Sequence, residues 1–280
     1  MILLLHYQFV QNAFLAGTII AIVSAIIGYF VVLRSQAFAA HALSHIGFAG
    51  ATGAALIGLS SLSGTFLFTV LAALGMGVLG KRIQGRDVEI GMILSFALGL
   101  GVLFLKLYTV NANEAVGILF GSILSVTTSD LVLSVITGII TIIFLISVFR
   151  PLLFASVDPE VAEARGVPVN LLSVIFMLLL AVSVTEAILI VGVLLVFALI
   201  VAPAAIAQHI SRHPMITILI SVAFGLFFTW GGLSLALMLH GPVSFFIAGL
   251  ASLSYLIAVP FIHTISPHVY TQLIERFEEH

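Results

Sequence analysis

The stretch FAAHALSHIGFAGATGAALIGL, from Phe38 to Leu59, contains enough small and apolar residues to cross a lipid bilayer as a single helix. It also carries two histidines, His41 and His45, at positions i and i+4. Ionisable side chains are costly inside a membrane and usually mark a functional pathway. The stretch therefore predicts a transmembrane helix that carries a site.

The composition of the whole chain indicates an integral membrane protein. Of the 280 residues, 62% are hydrophobic and only 7% are charged, whereas soluble domains carry about 25% charged residues. The net charge of −2 is uninformative, since nine basic and eleven acidic groups nearly cancel, and no nucleic-acid partner is expected. Cysteine is absent, which excludes disulfides and thiolate metal sites. The apolar runs leave no room for a soluble domain, so we expect one transmembrane domain over residues 1–280, in contact with membrane lipid.

Nine apolar segments are candidates for spanning helices, which need roughly 20 residues each. Helices are expected because lipid offers no partner to unpaired backbone groups, and the alternating pattern of a membrane β-barrel is missing. The expected fold is all-α, a polytopic transmembrane bundle with eight or nine spans, and the polar residues 183–186 are expected to separate the sixth span from the seventh. The segments are Phe9–Leu33, Ala40–Leu59, Gly64–Leu79, Ile90–Leu107, Leu131–Phe149, Val169–Val184, Ala187–Gln208, Met215–Leu239 and Phe245–His263.

Basic residues follow every odd-numbered span, whereas the opposite loops carry Lys106 alone. Cytoplasmic loops are enriched in lysine and arginine, so this asymmetry predicts an external amino terminus and a cytoplasmic carboxyl terminus. The basic residues on the cytoplasmic side are Arg34, Lys81, Arg82, Arg86, Arg150, Arg165, Arg212 and Arg276.

Two segments fit no span. Asn111–Ser129 is polar at both ends, and we expect a re-entrant or surface helix on the outer side. Val157–Leu171 is expected to be a cytoplasmic loop with a short helix that begins with an aspartate cap and a proline and ends at a glycine. Acidic residues in its first turns favour the positive end of the helix. The residues assigned to this helix are Asp158, Pro159, Glu160, Glu163, Ala164 and Gly166.

The histidine pair has the spacing of a metal site. Residues i and i+4 share one helical face with Cβ atoms about 6 Å apart, so His41 and His45 can present two imidazoles to one divalent ion. Alternatively, each is a polar core residue satisfied by a neighbouring carbonyl. The pair resembles the HExxH signature of zinc proteases, but Ala42 replaces the catalytic glutamate, so a hydrolase is not expected.

The remaining polar residues near the apolar segments have structural or solvent-facing interpretations. His209 and His213 lie at a helix end, where the negative pole of the dipole favours cations. Asp130 is expected to cap the fifth span, and Glu186 is expected to face water on the outer side. No GxxxxGK[ST] loop is present, so this chain is not expected to bind ATP through that device.

Four stretches resemble the membrane permeases of metal-ion ABC importers, the family that moves zinc, manganese or iron. Their order and spacing also match, so the resemblance covers nearly the whole chain. The stretches are VLRSQAFAAHALSHIGFAGATGA (31–53), LFGSILSVTTSDL (119–131), DPEVAEARGVPV (158–169) and VGVLLVFALIVAPAAIAQ (191–208).

The resemblance implies a homodimeric type II importer permease in a prokaryotic cytoplasmic membrane. Two cytoplasmic ATPase subunits would hydrolyse ATP, an external binding protein would deliver the ion, and this chain would not itself be an enzyme. The segment 158–169 matches the coupling region, where a short helix docks on the ATPase. Apart from the transported divalent ion, no cofactor is implied, and His45 would lie on the metal path.

The chain departs from the family pattern at two positions. His41 stands where members commonly carry aspartate, and two neutral imidazoles favour zinc over hard, oxygen-preferring ions. Ser122 stands where many members carry the aspartate of an FGD motif, which weakens a metal-binding role for the outer segment.

Two other functions are consistent with a helical membrane protein of this composition. One is a permease for metal chelates such as siderophores, which typically needs a longer chain and a wider path. The other is a stand-alone proton-coupled carrier, which predicts more paired intramembrane acids than the sequence contains. Copurification with an ATPase separates a permease from a carrier.

Overall fold

Helices are the regular structure of the part of the chain that the computed structural model describes, which is residues 7–78, 87–107, 117, 119–121, 123–258 and 260. No strand occurs in those residues. The helices are α1 (Gln8–Leu33), α2 (Ala37–Leu56), α3 (Ser61–Val78), α4 (Asp87–Leu107), α5 (Thr128–Val157), α6 (Pro159–Ala164), α7 (Val169–Val191), α8 (Val193–Ile210), α9 (Pro214–Leu239) and α10 (Val243–Ala258), with a 3₁₀ turn at Ile123–Ser125.

The all-α prediction is confirmed, and each of the nine predicted spans corresponds to one helix. Six of these helices are long and apolar enough to cross a membrane, namely α1, α4, α5, α7, α8 and α9. The basic positions 81, 82, 86 and 276, the departure at position 122 and most of 111–122 lie outside the described residues.

The predicted boundary between the sixth and seventh spans is wrong. Helix α7 continues through the polar residues 183–186, and the chain breaks at Gly192, which has a φ of 84°. The two hydroxyl groups of this segment find partners inside the helical bundle. Ser183 donates to the carbonyl of Leu179 at 2.9 Å, and the Thr185 hydroxyl lies 2.7 Å from that of Thr69. Hydroxyls that bond to their own helix or to a neighbouring one do not end a helix.

The break between α7 and α8 packs against the segment that precedes α5. Gly121 and Gly192 both adopt left-handed backbone conformations. A Cβ atom on Gly121 would clash with the main chain of Val191, and one on Gly192 would clash with that of Gly121. Glycine is required at both positions because the two main chains touch without intervening side chains.

Helices α1 and α7 form the centre of the bundle. In their most apolar windows, 67% and 72% of the residues are buried, compared with 17% for α4 and 22% for α5. The ring of Phe30 on α1 lies 6.0 Å from that of Phe176 on α7. The exposed faces of α4 and α5 are rich in large apolar side chains, as a lipid-facing surface requires.

The helices have two common ends. At the first, which we call the α6 end, α1, α5 and α8 finish and α2, α7 and α9 begin. At the opposite end, Thr127 and Asp130 form a capping box at the start of α5, so the prediction that Asp130 caps this helix is confirmed. The histidines of α2 and the short helix α6 lie towards the α6 end.

Candidate metal site and projecting helix

His41 and His45 lie on one face of α2, as their spacing predicts. Their ring centroids are 4.6 Å apart and the rings meet edge to face at 76°. Ala42, Leu43 and the intervening Ser44 are fully buried, whereas both histidines are partly exposed. The two imidazoles therefore face the surface of the chain, about 6 Å and 12 Å along the helix from its first residue.

Helix α8 supplies an aromatic neighbour to this pair. The ring of Phe197 lies 5.2 Å from that of His41, edge to face. Among the hydrogen bonds of the described residues, none reaches either imidazole. Sequence reasoning missed Phe197, because one phenylalanine in an apolar run gives no local signal.

The histidine pair alone does not make a complete set of metal ligands. In the described ranges, no three histidine, cysteine, aspartate or glutamate side chains come together. Structural zinc takes four ligands and catalytic zinc takes at least three. The pair can therefore ligate an ion only if further ligands come from elsewhere, such as water or another chain.

The short helix α6 has the ends that its sequence predicts. The carboxylate of Asp158 accepts a hydrogen bond from the amide of Val161 at 3.0 Å, and Pro159 occupies the first turn. Gly166 ends the helix with a φ of 82°, and its amide donates to the carbonyl of Glu163 at 2.9 Å. These capping bonds make α6 a defined element instead of a slack connection.

One side of α6 is anchored and the other is open. Ala162 is fully buried, whereas Glu160 and Glu163 are exposed. Val157 and Val161, one helical turn apart, are 70% and 43% exposed. The open side thus combines acidic groups with two exposed apolar side chains.

Arg34, at the end of α1, bonds to the two helices that lead into and out of α6, namely α5 and α7. Its guanidinium donates to the hydroxyl of Ser156 at 3.2 Å and to that of Ser173 at 2.7 Å. It also lies over the ring of Phe176, 5.6 Å from the centroid. The sequence indicated only a cytoplasmic charge here, because its partners are 122 and 139 positions away.

Comparison with known proteins decides the family. Residues 6–262 match the profile of the ABC 3 transport family. The chain belongs to the ABC 3 transport family. The resemblance seen in the four sequence stretches is thereby confirmed.

Relatives in this family have names that refer to metal transport. The manganese transport system membrane protein MntC of Listeria monocytogenes is 31% identical over 79% of this chain and 79% of its own length. The manganese import system permease protein ScaB of Streptococcus gordonii is 30% identical over 78% of this chain and 79% of its own. A chain of the solved PsaBC complex from Streptococcus pneumoniae superposes with a TM-score of 0.80, at 27% identity, covering 91% of this chain and 92% of that one.

The other polar residues considered in the sequence lie at helix ends or inside a helix. The His209 ring bonds to the carbonyl of Ala205 at 2.8 Å in the last turn of α8, and His213 precedes the first residue of α9. Glu186 does not face water, contrary to the prediction. It is only 7% exposed and lies inside α7.

Proposed function

We propose that this chain is the membrane permease of an ATP-driven importer for a divalent transition-metal ion. Membership of the ABC 3 transport family and the names of its relatives support this function. The observation that carries it is the pair of adjoining imidazoles on α2 that no described carbonyl occupies. The whole chain, residues 1–280, acts as one transmembrane domain, and a partner hydrolyses the ATP.

His41 and His45 are proposed as the metal ligands on the transport path. Two protomers related by a two-fold axis would bring two such pairs together, because symmetry repeats the same ligands. Four neutral imidazoles then surround one ion. This donor set favours zinc over manganese, since manganese prefers carboxylate and water oxygen ligands. Manganese, for which two of the compared relatives are named, is the competing ion.

The projecting helix is proposed as the docking element for the ATPase. Asp158, Pro159 and Gly166 define its ends, and Glu160, Glu163 and Ala164 lie on its exposed side. Arg34, which lies seven residues before His41, bonds to the chain on both sides of this element. Movement of the docking helix would thereby be passed through its two flanking helices to Arg34, which precedes α2 in the chain.

The remaining parts of the assembly follow from the same proposal. Two ATPase subunits bind on the cytoplasmic side, and a binding protein delivers the ion from outside. The chain crosses the cytoplasmic membrane with its amino terminus outside and its carboxyl terminus in the cytoplasm. This orientation is supported by Arg34, Arg150, Arg165 and Arg212, which all lie at the α6 end.

Transport by the reconstituted complex tests the proposal. The wild-type permease with its ATPase and binding protein should take up zinc only when ATP is supplied. His41→Ala and His45→Ala should each abolish uptake but leave the complex assembled, whereas the exposed control His213→Ala should transport normally. Uptake unchanged in both α2 variants would show that the histidines are packing residues, and uptake without ATPase would indicate a stand-alone carrier.

The ion is identified by competition in the same assay. If the four-imidazole site is correct, zinc should inhibit manganese uptake at lower concentration than manganese inhibits zinc uptake. Replacing His41 by aspartate introduces an oxygen ligand and should shift the preference towards manganese. An unchanged preference in this variant would mean that the pair does not select the ion.

A further inference from the structure

Glu186 is a buried carboxyl group for which the transport mechanism proposed above has no role. It lies five residues before the end of α7, about 8 Å from the opposite end of the bundle. The side chain is 7% exposed, and both carboxyl oxygens are buried without a hydrogen-bond partner in the described residues. An unpaired carboxylate in this position would be strongly destabilised.

The surface that faces Glu186 is a stripe of small and hydroxyl-bearing residues on α5. Ser134 and Thr137 have their hydroxyls next to the carboxyl group. A Cβ atom added to Gly138 would lie 3.9 Å from a Glu186 oxygen, so the absence of a side chain there makes room for it. Thr141, one turn further along this face, is also buried and its hydroxyl has no partner in the described residues.

The hydroxyl of Thr137 already uses its proton. It donates to the carbonyl of Leu133 at 2.9 Å, within its own helix. A hydroxyl whose proton is engaged presents lone pairs to its other neighbours. Thr137 can therefore accept a hydrogen bond from Glu186 while it keeps its own. This arrangement suits a carboxyl group that carries a proton.

Among the residues that the structure describes, no positive side chain compensates a charge on Glu186. On α5 the facing residues are the two hydroxyls and Gly138. On α1 the residues that close the same space are Ile19 and Val23, which lie 3.1 and 3.2 Å from a Cβ placed on Gly138. On α7 itself the neighbouring Thr185 turns away to bond Thr69 of α3.

We propose that Glu186, with the hydroxyls of Thr137 and Ser134, forms a proton-binding site within the membrane that is separate from the histidine pair. A proton fits the donor set better than a hard divalent metal ion, because Ca²⁺ and Mg²⁺ take six or more oxygen ligands. The cluster supplies two carboxyl oxygens and a few hydroxyls. In the closed packing of α1, α5 and α7, the carboxyl group is neutral, and the Thr137 hydroxyl can accept a hydrogen bond from it.

The site also predicts when the proton leaves. If α5 separates from α7, water enters the space beside Gly138 and can accept the proton, leaving a hydrated carboxylate. Closure then requires the carboxylate to take the proton back from water. Packing of these three helices is thereby linked to proton uptake, with one proton bound for each closed protomer.

Infrared spectroscopy of the full-length permease in lipid vesicles tests this site. At neutral pH the wild-type spectrum should contain a protonated carboxyl C=O band that is lost in Glu186→Gln and kept in the exposed control Glu160→Gln. Thr137→Val, which removes the acceptor, should shift the band without removing it. A spectrum that lacks the band at neutral pH, or a band that survives in Glu186→Gln, would overturn the proposal.

A second experiment, in which metal ions are added, distinguishes a bound proton from other bound cations. In a permease that carries His41→Ala and His45→Ala, addition of zinc, manganese or sodium at constant pH should leave the band unchanged. Loss of the band on adding one of these ions would show that the carboxylate binds a metal and would overturn the proton assignment. If Glu186→Gln does not fold, two other measurements assign the band. The carboxyl proton should exchange slowly in heavy water, and the band should shift in Thr137→Val.

Discussion

Replacing Arg34 by alanine should both destabilise the bundle and uncouple ATP hydrolysis from transport. The substitution removes two hydrogen bonds from a charged donor, to Ser156 and Ser173, and a contact with the ring of Phe176. A hydrogen bond to a charged group contributes roughly 1.5–3 kcal/mol, and a cation–π contact about 0.5–1 kcal/mol. These terms are not additive, and we expect a net loss of about 2–4 kcal/mol.

The individual contacts should rank in a definite order. Ser173→Ala removes the shorter bond, of 2.7 Å, and leaves the guanidinium half paired. Ser156→Ala should cost less, because its bond is 3.2 Å long. Arg34→Lys keeps the charge but cannot reach both hydroxyls from one ammonium group, so it should fall between the wild type and Arg34→Ala.

The assay is thermal unfolding of the purified permease in detergent, followed by transport and ATP hydrolysis in reconstituted complexes. Arg34→Ala should lower the unfolding temperature and the number of ions moved per ATP. Arg150→Ala, an exposed arginine on α5, is the matched control and should change neither. If the two variants behave alike, the bonds of Arg34 are not what connects the docking helix to α2.

Three further outcomes are expected. Gly28→Ala should prevent correct packing, because a Cβ atom there would collide with the carbonyl of Ile200. The control Gly99→Ala, in open space on α4, should be neutral or stabilising by up to about 1 kcal/mol. Thermal unfolding compares the two variants, and equal stability would contradict the close contact at Gly28. Val161→Asp should weaken copurification of the ATPase more than Val161→Ala does, and equal recovery would exclude an apolar docking contact. Acidification below the reference imidazole pKa of about 6.5 should weaken metal binding to the histidine pair, since protons compete for the ring nitrogens. Calorimetric titration at two pH values measures the change in metal affinity. Equal affinities at the two pH values would argue against imidazole ligands.

Composition and apolar length predicted the class of the fold and one long helix for each span, because a membrane imposes both requirements on the sequence itself. The short helix α6 was also predictable, since Asp158, Pro159 and Gly166 carry local end signals. The geometry of the histidine pair followed from helical periodicity alone.

The errors arose where tertiary partners decide the structure. Residues 183–186 are polar enough to resemble a loop, but Thr185 finds a hydroxyl on α3 and Glu186 enters a space made by Gly138. Neither partner is near in sequence. The bonds of Arg34 were hidden for the same reason. A single sequence gives polarity at a position but does not show which distant helix receives the side chain.

The contact between Gly121 and Gly192 has a consequence for the length of the chain around it. Because main chain meets main chain there, no side chain can be repacked to absorb an inserted or deleted residue. A change of one residue between Gly121 and the start of α5 is therefore expected to disturb the contact with Gly192, where α8 begins. Phe197 follows Gly192 by five positions and touches His41. Loop length at one end of the protein thus helps to set the surroundings of an imidazole near the other.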